Sequence, residues 1–196
     1  MRRFLFMLVS LLCATAQVWA DKVTDLSQLS NDKVYFIKSE RAFLLYSEAN
    51  AGKLSSSTGK TVGNVQEDLA DPMQQFQIIK NGNNLYLFSV GAQKYVGANG
   101  NMEDAAKTVL NITKVDNASY PWKMCLGSQG MNSQEKNQTN EGIIVNGYTT
   151  TDPGNCFSIE EAIPMEKTYV ITVLGTDDAG AGVSYNGQEY KNEATI

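Results

Sequence analysis

Tyr46 precedes Glu48 and Asn50; Tyr95 precedes Asn99, Asn101 and Asp104; Asn146 and Tyr148 precede Asp152. Each stretch sets an aromatic ring close to short amides and carboxylates. A ring covers the apolar side of a pyranose while Asn, Asp or Gln groups meet its hydroxyls, so the chemistry on offer is sugar recognition. The competing reading for Tyr46 and Tyr95 is half-buried packing on strands. Trp122 shares a strand face with Met124 and Leu126, which makes it a core residue rather than a platform.

Catalytic chemistry has fewer candidates. The 196 residues include no histidine, which removes Ser-His-Asp and Cys-His nucleophile systems, His-containing zinc sites and histidine acid–base catalysis. Paired carboxylates could in principle flank a glycosidic bond. Glu160 and Glu161, however, are adjacent, and on a strand they point to opposite faces. Glu103-Asp104 reads as a solvated turn, and Asp177-Asp178 lacks the spaced ligand series of a calcium loop. No metal site and no cofactor are expected.

Residues 1–20 read as an export signal. Arg2 and Arg3 precede an apolar run over residues 4–16, which is shorter than the ~20 residues of a membrane-spanning helix. Val18-Trp19-Ala20 then offers cleavage before Asp21. The expected location is secreted, extracellular or periplasmic, with no membrane association after cleavage. Loss of Arg2 and Arg3 leaves 14 basic against 21 acidic residues, a net charge of −7, with Arg41 the one remaining arginine. No basic stripe is left to neutralise phosphates, which argues against nucleic acid as a partner.

The elements that must position these groups are strands. Charged residues make up 19%, below the ~25% typical of soluble proteins. Alternation of period two predicts strands over residues 34–40, 43–48, 75–80, 85–91, 94–97, 109–115, 122–127, 142–147 and 156–161. Asn81-Gly82 is the expected hairpin turn between two of them. Short helices are expected only within residues 21–29 and around 66–70.

An internal repeat organises the strands. Asp71-Pro72 stands five residues before Phe76, and Asp152-Pro153 stands at the same distance before Phe157. Asp can accept local backbone hydrogen bonds and Pro presets φ, so each pair reads as a turn that aims its phenylalanine at the core. The units run over about 34–80, 85–115 and 122–161, three unequal copies that argue for one closed object of approximate threefold symmetry. If the opening and closing strands of the third unit pair, Cys125 and Cys156 lie on the same side of the ladder. A disulfide and two thiols both remain open.

These pieces resemble a β-trefoil, and more closely the ricin-like or fascin-like trefoil modules at the N-terminus of secreted bacterial glycoside hydrolases, sialidases among them. The resemblance rests on Val34-Tyr35-Phe36-Ile37-Lys38, on residues 84–97 and on residues 151–157. The ricin-type Gln-x-Trp signature is absent; Gln74-Gln75-Phe76 is the nearest match, so sugar-contacting residues do not transfer position by position. A sialidase active site needs an arginine cluster, which a single arginine after residue 20 does not supply. After Ile163-Pro164 the alternation restarts and resembles the opening of a small β-sandwich, truncated at Ile196.

The expected fold is therefore all-β: a β-trefoil over residues 21–163 followed by the first strands of an incomplete sandwich-like module over 164–196. The expected function is non-catalytic glycan binding within the N-terminal fragment of a larger glycoside hydrolase. Glycans or glycoproteins and downstream domains of the same polypeptide are the partners. Candidate glycan contacts are Tyr46, Asn50, Tyr95, Asn99, Asn101, Asn146 and Tyr148. A structural or protein-interaction spacer is the alternative, and a trefoil protease inhibitor a further one.

Overall fold

The computed structural model describes residues 21–133 and 152–162, together with the backbone of 173–174, 182–185 and 188–191. The expected export signal, the 142–147 strand, Asn146 and Tyr148 lie outside the described residues. The chain divides into two compact units, Met1–Ile163 and Pro164–Ile196.

In the first unit the strands are β1 (Tyr35–Ser39), β2 (Leu44–Ser47), β3 (Lys53–Ser56), β4 (Phe76–Asn81), β5 (Asn84–Ser89), β6 (Lys94–Val96), β7 (Met102–Glu103), β8 (Leu110–Lys114), β9 (Trp122–Leu126), β10 (Gln129–Gly130) and β11 (Phe157–Glu161). Antiparallel pairing runs from β1 to β4, β5, β8, β9 and β11, and β11 returns to β1. Six strands thus close into a barrel and leave no open edge in its wall. The β2–β3 hairpin lies between β1 and β4 in sequence, and β6–β7 lies between β5 and β8. β10 folds back on β9.

Three of these strands, β3, β7 and β10, are missing from the period-two expectation. They are short, polar or glycine-containing, and they are strands because a partner holds them rather than because their own pattern alternates. The 66–70 helix is also corrected. Those residues carry no helix; a single 3-10 turn forms instead at Pro72–Gln74. At the N-terminal end, the expected helix reduces to one turn, Leu26–Gln28, with Asp25 and Gln28 forming a capping box.

Each barrel strand sends at least one side chain to a common core: Ile37, Ile78, Leu87, Leu110, Met124 and Ile159 are all 2% exposed or less. Burying each contributes about 1.5–3 kcal/mol. Phe76 and Phe157 join them, fully buried, as the repeated Asp-Pro turns require. The two turns are alike in detail. Asp71 Oδ1 accepts from the Met73 N–H at 2.9 Å, and Asp152 Oδ1 accepts from the Gly154 N–H at 2.8 Å. The Asp71 carbonyl accepts from the Gln74 N–H (2.9 Å), and that of Asp152 from the Asn155 N–H (3.0 Å).

The β4–β5 turn sits one residue later than expected. Asn81 pairs with Asn84, so Gly82-Asn83 forms the two-residue loop, with Gly82 at φ +59. Residues 21–23 fill the place along β11 where β9 leaves it after one pair. The Val23 N–H donates to the Ile159 carbonyl (2.8 Å), and the buried Trp122 Nε1–H donates to the Val23 carbonyl (2.8 Å).

β1 is buried on both faces. Outside the barrel, Val34, Phe36, Phe43 and Leu45 form a second cluster, covered by Val62, Val65 and Leu69 from the long β3–β4 connection. Buried Gln74 and Gln75 fasten that connection: their side-chain amides donate to the Gln66 carbonyl (3.0 Å) and the Leu69 carbonyl (2.8 Å).

The second unit contains an antiparallel three-stranded sheet in the order β12 (Val173–Leu174), β13 (Gly182–Tyr185) and β14 (Gln188–Lys191).

Phe76→Ala and Phe157→Ala are each expected to lower unfolding free energy in urea by about 3–5 kcal/mol. A loss below about 1 kcal/mol at either site would show that it does not anchor the core.

Candidate functional site

The amides singled out by the sequence hold turns together. Asn50 Nδ2 donates to Ser55 Oγ at 2.9 Å, and its N–H reaches the Ser47 carbonyl at 3.2 Å. Asn99 has φ 56 and is clamped by one side chain: its N–H donates to Gln129 Oε1 (3.1 Å), and its Oδ1 accepts from Gln129 Nε2 (2.8 Å). Asn101 Nδ2 donates to the Ala98 carbonyl at 3.1 Å. Tyr46 and Asn50 share the first hairpin, and Tyr95, Asn99 and Asn101 the second. A Lys53–Asn101 bridge joins the two hairpins.

Tyr46 is half-buried, and its hydroxyl donates to the Glu48 carboxylate. That hydrogen bond, with minor help from burial and the Glu48 charge, raises the Tyr46 pKa. The same hydroxyl leaves little space over Gly52, where a Cβ would stand 3.3 Å from it.

Tyr95 belongs to a different arrangement. Its ring meets Phe88 edge-on, with centroids 5.1 Å apart at 76°, and Tyr86 at 6.4 Å and 81°. Register explains the cluster. Gln77 pairs with Phe88, Phe88 with Tyr95 and Tyr95 with Glu103, so four adjacent strands present one row: amide, ring, ring, carboxylate. Paired residues point to the same face, and strands lie ~4.8 Å apart, so the row spans about 14 Å. Phe88, Tyr86, Tyr95, Gln77 and Glu103 are all partly exposed.

Sequence reasoning named Tyr95 but missed Tyr86, Phe88, Gln77 and Glu103 as members of a site. The signal was in β5 itself. Leu87 and Ser89 are buried and face the barrel, so period two turns Tyr86 and Phe88 outward.

Glu103 ends the row in a confined position. A Cβ on Gly97 would come within 2.0 Å of Glu103 Oε1, so glycine makes room for the carboxylate. Glu103 Oε2 is buried and has no hydrogen-bond partner among the described residues. The neighbouring Lys94 Nζ lies 3.0 Å from Asp104. Elsewhere, Arg41 Nη1 lies 3.0 Å from Asp152 Oδ1, which also accepts from Asn132 Nδ2 at 3.1 Å. Glu160 and Glu161 do point apart: Glu160 contacts Lys38 at 3.3 Å and Lys22 at 3.6 Å, whereas Glu161 meets Lys33 at 2.7 Å.

Cys125 and Cys156 stand as separate thiols in this structure. Cys125 faces its Cα partners Asn111 and Gly130, and β9 shares only the Trp122–Phe157 pair with β11. Burial pushes the Cys156 thiol pKa up, the Asp152 charge adds to the rise and Lys123 opposes it. Among the described residues, no three or more Asp, Glu or Cys side chains gather to hold a metal.

No family model and no curated protein matches the chain. Among solved structures, the ricin B-like lectin of Macrolepiota procera, in complex with lactose, aligns with a TM-score of 0.48 at 14% identity. The alignment covers 69% of this chain and 99% of that one. A likeness so distant does not bear on what this chain binds.

Gly97→Ala is expected to displace the Glu103 side chain and to destabilise the protein by about 1 kcal/mol, the low end for added core volume, because the clashing group is the end of a flexible side chain. In the double variant with Glu103→Ala most of that loss should return, and additive losses in chemical denaturation would refute the contact. Alkylation of the native protein followed by mass spectrometry should label half-buried Cys125 first. Cys156, 1% exposed and with a raised pKa, should react only on unfolding; equal rates at pH 8 would contradict this placement.

Proposed function

We propose that residues 21–163 form a β-trefoil module, exported and non-catalytic, that holds glycans on the outer face of β4, β5, β6 and β7. The closed barrel of three strand pairs, with hairpins inserted within the first two pairs, supports the trefoil reading. The repeated Asp-Pro turns support it further. The signal-like residues 1–20 support export, and the bacterial glycoside hydrolase setting follows from the sequence resemblance alone.

The row Gln77–Phe88–Tyr95–Glu103, with Tyr86 beside it, carries the glycan reading. Edge-on rings give a sugar a stepped apolar surface; at its ends Gln77, whose Nε2 already donates to the Asn31 carbonyl (3.3 Å), and Glu103, whose Oε2 is buried, offer their remaining polar atoms to hydroxyls. A net charge of −7 without residues 1–20 leaves nucleic acid a poor alternative.

A second reading has its own support. Asn50, Asn99 and Asn101 spend their side-chain amides on turns, so a partly apolar row with few spare donors also suits a protein partner.

The full chain on a glycan array, followed by calorimetry on any hit, separates the two. Tyr95→Ala and Tyr86→Ala should each weaken binding at least tenfold, about 1.4 kcal/mol, with the circular dichroism spectrum unchanged. Unaltered affinity in both variants would place the site elsewhere. No response to any glycan would remove the glycan reading and leave the protein-partner one.

A further inference from the structure

We propose that Glu103 makes the aromatic row selective for neutral sugars and against acidic ones, an inference that rests on the glycan-binding reading above. Tyr95 and Glu103 are direct cross-strand partners, so the carboxylate stands on the same face as the ring, within the ~4.5–5.5 Å Cβ separation of such pairs. Gly97 fixes where it can go. The space a Cβ would occupy there is taken by Glu103 Oε1, Cδ and Cγ, which would lie 2.0, 2.3 and 2.7 Å away. The carboxylate therefore packs over Gly97 at the end of the row, with Oε2 buried.

Its charge is not balanced locally. Among the described residues no cation lies within ion-pair distance of Glu103, and the nearest lysine along β6, Lys94, is held by Asp104 at 3.0 Å. Lys80 at the end of β4 belongs to the opposite strand phase from Gln77 and Ile79, so it does not share the row's face. Arg41, the one arginine beyond residue 20, is engaged with Asp152.

Ligand chemistry follows from these facts. A carboxylate only accepts hydrogen bonds, so it favours a ligand that brings hydroxyl donors. A neutral pyranose brings them. A sialic acid, a uronate or a sulfated sugar brings a second anion beside a carboxylate that has no ion pair among the described residues to offset it, and like charges disfavour one another most where solvent is displaced. Sugar acidity, rather than ring stereochemistry, is what Glu103 reads.

The test uses the full chain on an array that pairs neutral oligosaccharides with their sialylated, uronylated and sulfated counterparts. The unaltered protein should bind the neutral member of each pair at least fivefold better at low salt. The gap should shrink as ionic strength rises. Glu103→Gln keeps the shape and an acceptor oxygen but removes the charge, so the ratio of neutral to acidic binding should collapse toward one whatever the change in absolute affinity. Glu103→Asp keeps the charge and should keep the preference, which a purely structural role for the residue would not require. Equal or stronger binding of acidic members by the unaltered protein would overturn the inference and leave glycan binding intact. A preference unchanged in Glu103→Gln would overturn the role of Glu103. Absence of binding to every member would overturn the glycan reading itself, and this inference with it.

Discussion

The ladder between β1 and β11 is the constraint on which the module depends. Five residue pairs, from Tyr35–Glu161 to Ser39–Phe157, join the first and last barrel strands across more than a hundred intervening residues. Loop-closure entropy opposes such a contact, so its formation must be met by burial elsewhere. It is met on both sides of β1: Ile37 enters the common core and Phe36 enters the outer cluster, each fully buried. Residues 21–23 then lie along the free part of β11 and bring a carbonyl to the Trp122 indole. Closure and core are therefore one cooperative event rather than two.

A difference between the first two strand pairs, β1 with β4 and β5 with β8, decides where a ligand surface can exist. The outer wall around β1 is occupied by the β3–β4 connection, which the buried amides of Gln74 and Gln75 fasten in place. No corresponding cover lies on β5 and β6 among the described residues, and the outward rings there stay partly exposed. The same strand phase that makes Phe36 a second-layer core residue makes Phe88 a surface residue. What differs is the length of the chain between hairpin and closing strand: β3 and β4 are separated by residues 57–75, whereas β7 and β8 are separated by residues 104–109.

Much of the fold was legible because the barrel strands alternate strongly. Every barrel strand was anticipated to within a residue or two, and the Asp-Pro repeat carried both its turn geometry and its buried phenylalanines. The missed strands, β3, β7 and β10, owe their state to partners, which a local pattern does not contain. The site was less legible, for a physical reason. Asparagines near an aromatic look alike whether they meet a sugar or a backbone, and here Asn50, Asn99 and Asn101 meet their own turns. Glu103, read as part of a solvated turn, lies on a strand instead, and it and Gln77 join the row through cross-strand register with Tyr95 and Phe88, which local composition does not contain.

Register also ties the surface row to the core more tightly than its exposure suggests. Tyr86 and Phe88 alternate with Leu85, Leu87 and Ser89 on one six-residue strand. A slip of one residue would turn both rings inward and expose Leu87, which touches the common core. The Gly82-Asn83 turn limits that slip at one end of β5, and pairing with β6 limits it at the other. The spacing of the rings is thus inherited from the same hydrophobic alternation that closes the barrel. Changes to the outward side chains alter the surface without disturbing that alternation, whereas any change that shifts the register dismantles the row and the core together.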